Sequence, residues 1–288
     1  MLGENIGEQV VPKSYPLRTV DVFAERQLAG NQLAVIEDAV DLSDEQMQAI
    51  ALEMNYAETT FVTARAGDVA TVRIFTPAWE LPFAGHPTIG TAWALTGGQG
   101  SITLDLKAGH VPVEFVDGIG WMVPPATQFH GAFDQEVAAS LISLQTQDLS
   151  SDLPVECLEV GPKFVIIPVK DLATLKQAKL NADLHTDLIE QGHGVQCVFV
   201  VSAEPYDETA HYATRMFFDS AGKREDSATG SANTAFAAYL KKHLGNLGDV
   251  VVDQGVEINR PSRLYLRVED TIAVGGKVQP VVTGQITI

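Results

Sequence analysis

Glu58 stands in NYAETTFV (55–62), where a helical pattern gives way to a strand pattern. A carboxyl among apolar and hydroxyl side chains has its pKa raised by desolvation, which suits a general acid/base near neutral pH. Gly85-His86 and Gly230-Ser231 each open an uncharged helical run, and Asp226 precedes the second of them in REDSATGS (224–231). A helix start leaves N–H groups unpaired at the positive end of the helix dipole, and such ends bind carboxylate or phosphate. Taken singly, each feature has a plainer explanation. Glu58 fits a solvated surface glutamate, Asp226 a loop charge or helix-start residue, His86 a structural cap, and both glycines tight turns before ordinary helices.

The elements that must position these groups can be read from the pattern. TVDVFA (19–24), the turn-like LAGNQ and LAVI (33–36) form a hairpin. Ser43 and Gln46 make a capping box, and Met47, Ile50, Ala51 and Met54 then recur at helical spacing, predicting an amphipathic helix over 44–54. TTFVTA (59–64) and TVRIFTP (71–77) are β-branched and read as strands. In LPFAGHPTIGTAWAL (81–95), Pro87 suits a first helical turn, with His86 at or near the N-cap. The predicted helix Pro87–Leu95 carries no charge, so it must be wrapped on all sides. ITLDL (102–106), VPVEFV (111–116) and GWMVPP (120–125) are the wrapping strands.

The second half repeats the plan. ATRMFF (213–218) resembles TVRIFT, a charged loop follows, and a second uncharged helix, Ser231–Leu240, starts after Gly230. The separation is near 144 residues, half the chain, as an internal duplication predicts. FVIIPV (164–169), CVFVV (197–201), DVVVD (249–253) and LYLRV (264–268) supply further strands.

Composition restricts the partners. Nineteen basic against 37 acidic side chains give a net charge of −18, a field that repels nucleic acid and anionic lipid. An anionic substrate must then be held by local donors. The N-terminal MLGENIGEQV has neither a basic region nor a long apolar one, and no run elsewhere reaches membrane-spanning length, so a cytoplasmic protein is expected. Cys157 and Cys197 lack the spacing of zinc ligands or a redox pair and read as buried thiols. The seven histidines are scattered, and no metal site is indicated.

Together these segments raise a resemblance. VDVFAERQLAGNQLAVI (20–36), LSDEQMQAIALEMNYAETTFV (42–62), VRIFTPAWELPFAGHPTIGTAWAL (72–95), EDSATGSANTAFAAYL (225–240) and QGVEINRPSRL (254–264) resemble, in order, the PhzF-like isomerases of phenazine biosynthesis type. The resemblance implies an α+β, diaminopimelate epimerase-like fold: two pseudo-symmetric halves, each a curved sheet around a central apolar helix. The halves would be 1–126 and 127–288, with the last strand returning to the first. It further implies Glu58 as proton shuttle, with Gly85, His86, Asp226, Gly230 and Ser231 holding the substrate and the N–H groups at Gly230 and Ser231 receiving its carboxylate. No cofactor, no metal and a homodimer are expected. Gln32 and Ser227 stand where the family usually has proline, and Asn259 where it usually has glycine.

The resulting expectation is a cofactor-independent isomerase that moves a proton between carbons of a small carboxylate. Two alternatives share the fold: a two-base racemase or epimerase of an amino or hydroxy acid, and a non-catalytic small-molecule-binding protein. The two-cysteine version of the first needs thiols at the two helix starts, where this chain has His86 and Ser231.

Overall fold

The computed structural model describes residues 12–220 and 223–288; the N-terminal decapeptide discussed above lies outside the described residues. The first half runs β1 (Ser14–Val22), β2 (Asn31–Ile36), α1 (Asp44–Met54), β3 (Glu58–Ala66), β4 (Val69–Phe75), β5 (Glu80–Leu81), α2 (Gly85–Thr96), β6 (Ser101–Leu106), β7 (Gly109–Val116) and β8 (Ile119–Met122). The capping box forms as its sequence predicts: the Ser43 hydroxyl accepts from the Gln46 N–H at 3.3 Å, and the Gln46 side chain accepts from the Ser43 N–H at 2.9 Å. Met47, Ile50 and Ala51 bury the inner face of α1 in a cluster with Ile36, Phe61 and Phe75. Asn55 then ends the helix in the left-handed conformation, φ 50°.

The second half runs β9 (Gln128–Ala132), α3 (Gln135–Leu141), β10 (Glu156–Glu159), β11 (Lys163–Val169), α4 (Leu172–Gln177), α5 (Ala182–Glu190), β12 (Cys197–Ser202), β13 (Tyr212–Ser220), β14 (Lys223–Asp226), α6 (Gly230–Leu244), β15 (Gly248–Gln254), β16 (Ser262–Val268), β17 (Ala273–Gly276) and β18 (Val278–Thr287). The duplication is explicit in the pairings. In the first half β2 is parallel to β3 and β4 to β6, with α1 and α2 as the crossovers. In the second half β11 is parallel to β12 and β13 to β15, with α4–α5 and α6 as the crossovers.

Two strand pairings among the described residues join the halves. β8 pairs antiparallel with β17, making one continuous sheet, and β18 leaves β17 to run antiparallel along β1 from Ser14↔Thr287 to Val22↔Val278. Within the second half, β9 pairs antiparallel with β10.

Both uncharged helices are enclosed, as their composition requires. Of α2, Gly85 to Ala92 and Ala94 are buried; of α6, Gly230 and Ala232 to Leu240 are buried. Ile89, Ala92, Phe236, Tyr239 and Leu240 share one cluster with strand residues from both halves, such as Val22, Leu33, Phe199 and Leu264. Burying each large side chain contributes roughly 1.5–3 kcal/mol. The helix limits correct the sequence reading. α2 spans Gly85–Thr96 rather than Pro87–Leu95, so His86 lies in the first turn and Ala84 is the N-cap. Pro87 is tolerated at the third helical position because none of the first N–H groups has an intrahelical acceptor. α6 extends to Leu244 through Lys241 and Lys242, cations that suit the negative end of the helix dipole.

The same clamp precedes each helix. Arg73 on β4 donates through Nε and Nη2 to Glu80, both at 2.8 Å, with its guanidinium 5.1 Å from the Phe75 ring centre. Arg215 on β13 grips Glu225 at 2.9 and 2.7 Å, and stands 4.8 Å from the centre of Phe217. A bidentate guanidinium–carboxylate pair fixes distance and plane together. Each glutamate lies five positions before the glycine that starts its helix.

Candidate active site

Glu58 is the first residue of β3, opposite Leu33 of β2, and its side chain is 16% exposed. The left-handed Asn55 turns the chain from α1 into this strand and so sets where the carboxyl emerges. His86 reaches the same point from the first turn of α2, with Nε2 at 3.4 Å from Glu58 Oε2. Burial pushes the imidazole down to about 3, partly opposed by the Gln32 backbone carbonyl that the ring faces, so His86 is neutral. A carbonyl only accepts, which turns the donor nitrogen of the ring toward Gln32. Nε2, without a hydrogen bond among the described residues, is left as an acceptor toward Glu58.

The two helix starts meet backbone to backbone. A methyl group added to Gly85 would come 2.9 Å from Gly230 Cα, and one added to Gly230 would come 3.0 Å from Gly85 Cα and 3.4 Å from the His86 nitrogen. Only glycine allows this approach. Neither helix is capped by a side chain at its N-terminus. The hydroxyl of Thr229, the N-cap of α6, is engaged elsewhere: it donates to Asp226 Oδ2 at 2.6 Å and accepts from Gln254 Nε2 at 3.0 Å. First-turn N–H groups of two helices therefore converge at one place, with Ser231 half-buried in the turn that His86 occupies in α2.

Asp226, half-buried at the end of β14, completes the group. Its Oδ1 accepts from Asn31 Nδ2 at 2.8 Å, and its backbone carbonyl from Gln254 Nε2 at 3.0 Å. Gln254 also accepts from the Thr229 N–H and from Asn233. The amino end of β2 organises both sides of the site, because Asn31 meets Asp226, the Gln32 carbonyl meets His86, and Leu33 lies beside Glu58. Nothing in the local sequence marks Asn31, Thr229 or Gln254 as a site residue by its own chemistry. All three lie within the motif segments quoted above, which was the available signal.

The chain has relatives over most of its length. The family described as phenazine biosynthesis-like protein, PhzC-PhzF, matches residues 20–287. The chain belongs to this family. It is similar to the trans-2,3-dihydro-3-hydroxyanthranilate isomerase of Pseudomonas aeruginosa, 38% identical over 264 residues that cover 87% of this chain and 89% of that protein. Among solved structures it is similar to the Bacillus anthracis phenazine biosynthesis protein of the PhzF family, with TM-score 0.85 and 29% identity over 96% of this chain and all of that one. It also shares its fold with a hydroxyproline epimerase from Agrobacterium vitis, at TM-score 0.62 and 12% identity over 96% and 93% of the two chains. The PhzF-family chain is accordingly an isomerase with the diaminopimelate epimerase-like fold.

The departures from the PhzF pattern are local. Asn259 has φ 59°, a left-handed conformation that glycine adopts freely and asparagine tolerates, so the turn before Arg260 is preserved. Gln32 continues β2 opposite Asp21 and offers its carbonyl to His86. No helix of the described residues is long and apolar enough to cross a membrane, and those residues hold no cluster of three or more His, Cys, Asp or Glu side chains fit for a metal.

Neither cysteine stands at a helix start: Cys157 lies in β10, and Cys197 in β12, within reach of the Asp226 charge. Burial pushes their thiols up to about 11 and about 12, which withholds the thiolate that nucleophilic or base chemistry needs. Cys157→Ser and Cys197→Ser should each cost roughly 1–3 kcal/mol of stability in denaturant unfolding and leave turnover unchanged. Loss of turnover in a variant that remains folded would revive a thiol mechanism.

Proposed function

We propose that the chain shifts a double bond within a small unsaturated carboxylic acid, with Glu58 carrying the proton between two carbons. The observation that carries this reading is the Glu58–His86 contact at 3.4 Å beside the junction of two uncapped helix starts. The substrate carboxylate sits against the N–H groups at Gly85, Gly230 and Ser231, local donors that offset the −18 net charge. Ionised Glu58 removes a proton from one carbon, and the electron pair moves through the conjugated system. The acid form of Glu58, which can donate to His86 Nε2 meanwhile, returns a proton to the second carbon. Asp226 holds a polar group of the substrate. The halves meet at 126/127, the enzyme is a homodimer, and no cofactor takes part.

The P. aeruginosa relative acts, by its name, on trans-2,3-dihydro-3-hydroxyanthranilate, which makes that acid the first candidate here. The fold alone does not fix the substrate. The test offers this acid and a panel of cyclic and amino carboxylic acids to the purified protein, before and after dialysis against a chelator, and follows isomerisation by NMR. The expected result is conversion of a cyclic unsaturated acid at an unchanged rate after chelation. Conversion of none of them by the folded protein would favour the binding-protein alternative, and inversion of an amino or hydroxy acid centre would favour the racemase.

A further inference from the structure

Asn31 opens β2 in the first half and is 4% exposed, yet its hydrogen bonds lie across the seam. Nδ2 donates to Asp226 Oδ1 and to the Ala228 carbonyl, both at 2.8 Å and both in the second half. The turn before it is built to hold one direction. Gly30 has φ 69°, and a methyl group there would come 2.3 Å from the Val22 carbonyl. Arg260 grips this turn from the second half, donating through Nε to the Gly30 carbonyl at 2.9 Å and through Nη2 to Asp21 Oδ1 at 2.6 Å and the Ala29 carbonyl at 2.7 Å. Asp21 in turn accepts from the Leu28 N–H at 2.7 Å.

The geometry points to Asn31 as the positioning residue for Asp226: its amide holds Oδ1 across the seam, so the carboxylate takes its working orientation only when the two halves are closed on each other. The inference rests on the reading that Asp226 holds the substrate, and it assigns Asn31 no contact with a reacting atom. Thr229 fixes the other oxygen, Oδ2, from within the second half. With both oxygens held, the plane of the carboxylate is set, and Asn31 is a donor that the first half contributes. A donor to an ionised carboxylate is worth more than one between neutral groups. Exchanging the donor for an acceptor of the same shape should therefore displace Asp226 and not merely loosen it.

The test is a double-mutant cycle on the full chain, with trans-2,3-dihydro-3-hydroxyanthranilate or, if another acid of the panel is turned over faster, that acid. Asn31→Asp keeps size and shape but places a second carboxylate against Asp226. Its KM is expected to rise at least tenfold, the scale on which a hydrogen bond to a charged group acts, with a smaller change in kcat. In an Asp226→Asn background the same substitution should raise KM by at most about a third of that factor, because only the bond to the Ala228 carbonyl is then lost and there is no carboxylate to position. A packing role would instead multiply through unchanged. Should Asn31→Asp fail to fold, Asn31→Ala, which adds no charge, carries the same cycle. A KM within about threefold of wild type for a folded Asn31 variant overturns the inference, as does a full, multiplicative effect in the Asp226→Asn background. If Asp226→Asn itself leaves kcat and KM unchanged, the substrate role of Asp226 fails and the inference falls with it; if only the Asn31 arm is silent, that role stands.

Discussion

Replacing Glu58 by glutamine is expected to reduce turnover by about 10²–10⁴-fold, the range that a positioned acid/base group contributes. Glutamine keeps the side chain's volume and can still sit 3.4 Å from His86 Nε2, but it has no proton to exchange with carbon. The helix starts proposed to receive the carboxylate are untouched, so affinity for a non-reacting substrate analogue should change little. Steady-state kinetics and a calorimetric titration of the same preparation separate the two effects. In D₂O the wild type should place deuterium on the product carbon unless the carboxyl returns its proton before exchange, so the kinetic result decides. A folded, ligand-binding Glu58→Gln that turns substrate over within about threefold of wild type would remove Glu58 from the role, leaving His86 and Asp226 to be tested as the base.

Gly230→Ala should also cost activity, and here the sign is informative. By helix propensity alone, alanine in place of glycine stabilises a helix by about 1 kcal/mol. The tertiary contact reverses this, because the new methyl group meets Gly85 Cα at 3.0 Å, the Gly85 carbonyl carbon at 3.3 Å and the His86 nitrogen at 3.4 Å. These are backbone atoms of another buried helix and cannot rotate away, so the two helix starts must separate. His86 then leaves its contact with Glu58, and the paired N–H groups spread. Misplacement by about 1 Å costs on the order of 10²-fold in rate; the methyl group requires a few tenths of an ångström, so a loss of about tenfold is expected with the far-ultraviolet circular dichroism preserved. Wild-type turnover in Gly230→Ala would show that the close approach of the two helices does not form the site.

Much of the molecule was legible in the chain because it depends on local chemistry. The capping box of Ser43 and Gln46 set the start of α1, and its period-3.6 pattern set which face is buried. The absence of charge in α2 and in α6 up to Leu240 required both to be enclosed. The segments that carry the family pattern placed Glu58, His86, Asp226, Gly230 and Ser231 on candidate turns. The middle of the chain is less legible: α3, α4 and α5 are too short to show a sustained helical period, although Asp134, Asp171 and Asn181 cap them by accepting from the N–H groups of Val137, Thr174 and Leu184. These were findable signals, masked by the shortness of the helices. The strands β9 and β18 gave no comparable signal. Their residues are mostly exposed, so the alternation that marks a half-buried strand is missing.

Tertiary structure decided what lies across the seam. Asn31 and Asp226 are 195 positions apart, and the donor and acceptor carry no mark of each other in their local sequences. The same holds for Arg260 with Asp21, 239 positions apart, and for β18 beside β1. The exact helix starts belong here too, since Gly85 and Gly230 are fixed by their contact with each other as much as by their own turns. The physical division is one of range. Propensity, capping and amphipathic period act within a few turns of chain and leave their record in consecutive residues, whereas a hydrogen bond between distant strands is set by how two sheets close on two buried helices. The sequence therefore determined which groups could do acid/base chemistry on a small anion, and only the closure of the halves decided which polar residues hold those groups in place.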